Sequence, residues 1–441
     1  MTGSGSFLRA GRVHNYHLSG LWTPGVSVPL PVSRSLPPAS VLKYYAYKST
    51  EAVEFYRPVM YLFFLAQGLD FTQIAVLEAL YNLTTLAGEV PTGYIGDRVG
   101  RRNSLLVGTT LIAVTLVGIG LSSSFLALAV LYVCWSTGYN FRSGSEDAWL
   151  YDTLTDDLSE DEFAHVRGRG ESVSLAVGAG AAVVGGYLGS IDLSYPWFVA
   201  AAVTAVGVVV LLTVDEPATY KEAETADLSF RRTLSVVRQT VSERNVRSFV
   251  LYYYVLYAAV TYLVFVFLQP IFESVVLEFG VAETGVRSLL GWFYAAYSLF
   301  GAGLSYYTGA IRDRLGLRTW FLWLPFVVGG ALVGMYFVPV LALPTFLLVR
   351  GLSDVTRSFA GQYINDRTGT VGRATVLSAM AMVSGLAVVP FQLGSGVISD
   401  LVSPLFALAV AGGVLIVSSL AVLLWETPVE RAPADREIPE G

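Results

Sequence analysis

The chain is poor in the residues that most enzyme chemistry is built from. Its 441 residues include one cysteine, Cys134, and three histidines, His14, His17 and His165. A lone cysteine forms no intrachain disulfide and leaves the redox compartment unread. The histidines lie outside every long apolar run, so neither a histidine triad nor a buried metal site finds support. No Gly-x-x-x-x-Gly-Lys-Ser/Thr loop occurs, which argues against ATP hydrolysis by this chain. Charged residues make up only 14% of the sequence, where a soluble protein needs about a quarter to cover its surface. A net charge of −6 leaves no basic footprint for nucleic acid. No enzyme activity, cofactor or metal is expected. Lysine is nearly missing as well, with Lys43, Lys48 and Lys221 set against abundant arginine.

What is plentiful is apolar. The sequence is 54% hydrophobic with a mean hydropathy of +0.57, and 24 Phe, 25 Tyr and 8 Trp fit membrane interfaces and interiors. A spanning helix needs ~20 mainly apolar residues. Twelve segments qualify, at about 44–67, 71–94, 103–121, 124–145, 169–190, 195–213, 246–270, 286–308, 317–338, 342–364, 373–397 and 401–425. The expected fold is therefore an all-α polytopic membrane protein. Residues 1–43 read as a flexible extension without a signal-peptide pattern, 215–245 as a polar linker and 426–441 as a tail. Twelve spans put both ends on one side. The loops on that side carry Arg98, Arg101, Arg102, Arg167, Arg169, Arg231, Arg232, Arg312, Arg314, Arg318 and Arg367, and the opposite loops offer little beyond Arg287. By the positive-inside rule both termini are expected in the cytoplasm, in a multi-pass protein of the plasma membrane.

The two halves echo each other. Gly93-Tyr-Ile-Gly-Asp97-Arg98-Val-Gly100-Arg101-Arg102 returns as Gly309-Ala-Ile-Arg-Asp313-Arg314-Leu-Gly316-Leu-Arg318, 216 positions later and again between apolar runs. Phe141-Arg142-Ser143 is echoed by Thr356-Arg357-Ser358, and Asp215-Glu216-Pro217 by Glu426-Thr427-Pro428. Same-orientation repeats of six spans imply two bundles, 44–214 and 246–425, related by an axis along the membrane normal.

Ionisable residues at membrane depth are costly and mark sites. In the first span Glu51, Glu54 and Arg57 precede Pro58, and a spacing of three places Glu54 beside Arg57 and Glu51 beside Glu54. Arg57 lies ~16 Å along the helix from Gly68, near mid-membrane. In the tenth span Arg350, Asp354, Arg357 and Gly361 share one face. The fourth span adds Arg142, and the seventh adds phenols, including Tyr253 and Tyr257. Glu78, without an evident partner, is the candidate proton carrier. The plain alternative is a set of structural ion pairs fixing helix register.

The doubled loop in a six-plus-six layout resembles the major facilitator superfamily over about 44–425. That resemblance implies a carrier whose two bundles rock about a cavity lined by helices 1, 4, 7 and 10. It implies that Asp97 or Asp313 caps a helix of the opposite half in the outward-facing state, and that Arg101 pairs with Glu146 or Asp147. The exporter pattern Gly-Pro-x-x-Gly-Gly in helix 5 is reduced here to Ala181, Ala182, Gly185 and Gly186. The expected function is secondary transport of a small organic solute, driven by a proton or a sodium gradient, with antiport export favoured and a monomer expected. An importer of a polar organic anion, clamped by Arg57, Arg142 and Arg357, is the alternative. A non-transporting sensor or scaffold would need a cytoplasmic module, and neither the linker nor the tail is long enough to fold into one.

Overall fold

The computed structural model describes residues 37–51, 53–155, 160–214, 216, 244–367 and 373–429. Most of the expected extension, linker and tail falls outside the described residues, as does the side chain of Asp97. Every described element is helical. The helices fall at the twelve expected places.

Helix α1 is interrupted: α1a (Ala39–Ser49), α1b (Val53–Tyr56), a 3-10 turn (Arg57–Val59) and α1c (Met60–Ala66). It starts within the stretch expected to be flexible, where Lys43 reaches the carbonyl of Thr213. Then follow α2 (Phe71–Val99), α3 (Arg101–Leu121), α4 (Phe125–Thr155), α5 (Glu160–Ile191) and α6 (Tyr195–Leu212). The second half opens with α7, built of Arg244–Phe249, a π-helical stretch Val250–Tyr257 and Ala258–Glu278. It continues with α8 (Glu283–Tyr306), α9 (Thr308–Phe337), α10 (Ala342–Asn365), α11 (Arg373–Leu401) and α12 (Pro404–Trp425). Among the described residues eight helices are long and apolar enough to span a membrane: α3, α5, α6, α7, α9, α10, α11 and α12. The others are the broken α1 and the more polar α2, α4 and α8.

Packing repeats with the sequence. In the first half α2 and α3 both lie on α4, and α3 lies on α6; in the second half α8 and α9 lie on α10, and α9 lies on α12. The halves meet where α2 packs on α11, where α5 packs on α8 and where α1c meets α7. Close approach needs small residues. At the α5–α8 contact a Cβ on Gly186 would lie 2.7 Å from the Gly291 backbone, and one on Gly396 of α11 would lie 2.8 Å from the Phe71 carbonyl of α2.

Gly100 and Gly316, at matching places in the repeated motif, have φ of 100° and 70°. That conformation costs a residue with a Cβ ~1–2 kcal/mol. The motif is less of a loop than expected, because α2 stays helical through Pro91 and Gly93 as far as Val99. Gly93 and Gly309 sit within helices, and nothing lies within 4 Å of a Cβ added at either. Neither turns the chain nor permits a close approach in this conformation.

Candidate functional site

Helix α1 opens beside Pro58, and the structure shows why. In an α-helix Tyr61 N–H would bond the Arg57 carbonyl. Instead the Gln269 side chain of α7 inserts between them: its Oε1 accepts from Tyr61 N at 2.8 Å and its Nε2 donates to Arg57 O at 2.7 Å. The same amide reaches Tyr294 Oη at 3.1 Å. Side-chain insertion into the ladder is an established cause of kinks. Gln269 is fully buried and joins the two halves.

The break turns polar groups toward a central space with two lobes. The first, ≈ 320 Å³, is lined by Tyr56 and Arg57 of α1, Glu78 and Tyr81 of α2, and Tyr132, Trp135, Tyr139 and Arg142 of α4. The second, ≈ 580 Å³, is lined by Tyr253, Tyr254 and Tyr257 of α7, Arg350, Ser353, Arg357 and Gly361 of α10, and part of α11. Tyr262 and Phe265 of α7 border both. The π-helical stretch brings Tyr253, Tyr254 and Tyr257 together on the second lobe, an irregularity often found at functional sites. Tyr252 points elsewhere and donates to the Phe321 carbonyl at 3.0 Å. Besides α1, α4, α7 and α10, the cavity draws on α2, α3, α6, α8 and α11.

The charged groups around the cavity have partners, with one exception. Arg57 pairs with Glu54 at 3.1 Å and lies over the Phe265 ring, and Arg350 pairs with Asp354 at 2.8 Å. Glu51 lies 2.9 Å from Lys48 and 3.9 Å from Arg142. Lys48 also lies 2.9 Å from Glu146 and 3.1 Å from Glu171, tying α1a, α4 and α5 together. Glu78 accepts from Tyr262 Oη at 2.8 Å and Tyr132 Oη at 3.4 Å, a bridge between the halves. Arg357 has no ion pair or hydrogen bond among the described residues and is exposed on the second lobe. The triplet Arg57, Arg142 and Arg357 is thus divided between lobes.

The expected partners of Arg101 are held elsewhere. Asp147 is gripped by Arg167 at 2.7 and 2.9 Å, and Glu146 by Lys48, because α4 stays helical beyond them and turns both toward α5 and α1a. Arg98 stacks over Tyr94. Asp313 is exposed beside Arg312 at 3.4 Å, and Arg314 and Arg318 are exposed. Two acids that the sequence offered only as an echo act as helix anchors. Glu216 accepts from Arg102 N at 3.1 Å at the start of α3, and Glu426 pairs with Arg247 at the start of α7 at 3.0 Å. A carboxylate is favoured at such a positive helix end. The aromatic face of α4 was passed over, although Tyr132, Trp135, Tyr139 and Arg142 follow at steps of 3, 4 and 3.

The described bonds between the halves lie away from the end that holds Ala39 and Trp425. At the far end Asp400, closing α11, accepts from Phe71 N and Thr72 N at 2.8 Å each and from Thr72 Oγ1 at 2.5 Å. Asn82 reaches Gln392 at 3.4 Å. These bonds tie the halves together at the far end.

The family model described as Major Facilitator Superfamily matches residues 52–388. The chain is 22% identical over 146 residues to the uncharacterized MFS-type transporter YxaM of Bacillus subtilis (strain 168), a match covering 33% of this chain and 36% of the relative. The match thus spans about a third of that relative's length. The fold is similar to the crystal structure of the nucleoside transporter NupG, with a TM-score of 0.73 at 14% identity, covering 87% of this chain and 98% of that one. It is also similar to a bacterial homologue of the iron transporter ferroportin in an inward-facing state, with a TM-score of 0.65 at 16% identity, covering 87% and 97%.

Proposed function

The chain belongs to the Major Facilitator Superfamily, and from that premise we propose that it is a secondary active transporter of a small organic solute. The carrying observation is the two-lobed cavity between the halves, which are bonded together at its far end. The opposite end faces the cytoplasm of the plasma membrane, with both termini there, a placement that the arginine-rich loops support. The protein works as a monomer by alternating access: closure at the terminal end and release at the far end deliver solute to the other side. In the closing step Asp97 or Asp313 caps a helix of the opposite half.

Glu78 is the coupling group, with a proton as the coupling ion in preference to sodium. It is buried, it lines the first lobe, and Tyr262 ties it across the interface. A change in its protonation alters a bond between halves, which is what biases a two-state equilibrium. Antiport export is the direction supported by Gly185 and Gly186. Gly185 abuts the Phe55 carbonyl at the break in α1, and Gly186 abuts Gly291 of α8, so the retained glycines stand where α5 moves against its neighbours.

The test needs no known substrate. In a Cys134→Ser background, spin labels at Ser123 and Thr284 report the far end, and labels at Ile95 and Leu315 the terminal end. Double electron–electron resonance should show the two pairs changing in opposite senses between pH 5 and pH 8. Glu78→Gln should flatten that dependence. A pH response equal in wild type and variant would remove Glu78 from the coupling step.

A further inference from the structure

Arg57, Arg142 and Arg350 each have a carboxylate within 4 Å, namely Glu54, Glu51 and Asp354. Arg357 has none among the described residues, although it lies within a helix of the membrane bundle and lines a lobe bordered by no described carboxylate. On the same lobe stand the phenols of Tyr253 and Tyr257. A cation without a carboxylate partner, set among phenol hydroxyls, makes a receptor for one acidic group. Across the shared Tyr262–Phe265 wall the first lobe offers flat surfaces. Trp135 stands edge-on to Tyr81 at 5.3 Å and to Tyr56 at 5.5 Å. Rings so placed accept a planar apolar body.

We propose that the solute is an amphipathic organic anion. Its carboxylate or phosphate takes Arg357 and Tyr257 in the second lobe, and its ring system lies against Trp135 and Tyr81 in the first. This rests on the carrier reading and deepens it. A ligand spanning both lobes touches α4 of one half and α7 and α10 of the other, so its binding energy depends on how the halves are disposed. Arg350 is less suited to the acid because Asp354 already holds it.

Calorimetric titration of the purified full-length protein with 2-naphthoate, 2-naphthamide and acetate tests the assignment. Naphthoate is expected to bind, with the amide and acetate at least ~10-fold weaker. Arg357→Gln should weaken naphthoate about 10- to 100-fold, the usual worth of a charged hydrogen bond, and leave the amide unchanged. Arg357→Lys should restore part of the loss, and Trp135→Ala should weaken naphthoate but not acetate. The inference is overturned if the amide matches the acid, if Arg357→Gln leaves naphthoate unchanged, or if no acid binds. It also falls if the Arg357→Gln effect is equal for acetate and vanishes at about 0.5 M salt, the sign of a screened steering charge. Binding of the amide alone would sink the charge assignment and keep the cavity as a solute site. Loss of the pH-driven rearrangement would strike the carrier reading instead.

Discussion

At the scale of single residues, Gln269 carries an unusual share of the architecture. One buried amide satisfies a backbone donor and a backbone acceptor of another helix, and both would otherwise face an apolar interior. Gln269→Leu keeps the bulk and leaves Tyr61 N–H and Arg57 C=O to pair with each other or go unsatisfied. If they stay apart, the cost is about 1–3 kcal/mol for each orphaned group. The expected result is a lower thermal midpoint in detergent, measured against a Gln269→Glu variant that keeps the acceptor alone. An unchanged midpoint for Gln269→Leu would mean that α1 closes its own ladder and that the break is not held from α7. Lys48 shows the same economy, with three carboxylates around one ammonium. In both places a short polar reach decides how several helices are disposed.

At the scale of helices, the contact between α5 and α8 is set by missing side chains. Gly186 and Gly291 let two backbones approach until a Cβ on either would fall within 2.5–2.7 Å of the other helix. Gly186→Val therefore has nowhere to place its branches without parting the helices. Overpacking of this kind costs typically 1–3 kcal/mol. Gly180→Val on the same helix, where nothing lies within 4 Å, serves as the control. Chemical denaturation of the two variants should separate them clearly, and equal stability would show that α5 and α8 part at little cost. Helix α1 is interrupted, yet within its pieces neighbours three apart still meet, as Glu51 does with Lys48 and Glu54 with Arg57.

At the scale of the whole molecule, the far end of the interface is tied by a cluster of bonds. Asp400 places a carboxylate on two backbone N–H groups and one hydroxyl at the start of α2. The dipole of that helix favours the same charge. The site is exposed to solvent, so its effect is a bias on a population rather than a lock. Asp400→Asn should raise the fraction of molecules whose Ser123–Thr284 distance is long, while the thermal midpoint stays close to wild type. A distance distribution identical to wild type would show that the glycine-lined contacts alone keep the far end closed.

The sequence by itself determined the helical membrane class, the places of the helices and the doubling of the chain. Apolar length and repeated motifs are local properties, and Gly93–Arg102 and Gly309–Arg318 carry them in plain view. Glu54–Arg57 and Arg350–Asp354 were legible too, because i,i+3 and i,i+4 neighbours meet on any helix. Only the tertiary structure decided what depends on distant segments meeting. It put Asp147 on Arg167 instead of Arg101, made Gln269 part of α1, and divided Arg142 from Arg357 although the repeat aligns them. It also left Arg357 without an ion pair among the described residues, which no spacing could reveal, because whether a charge is answered depends on every helix around it.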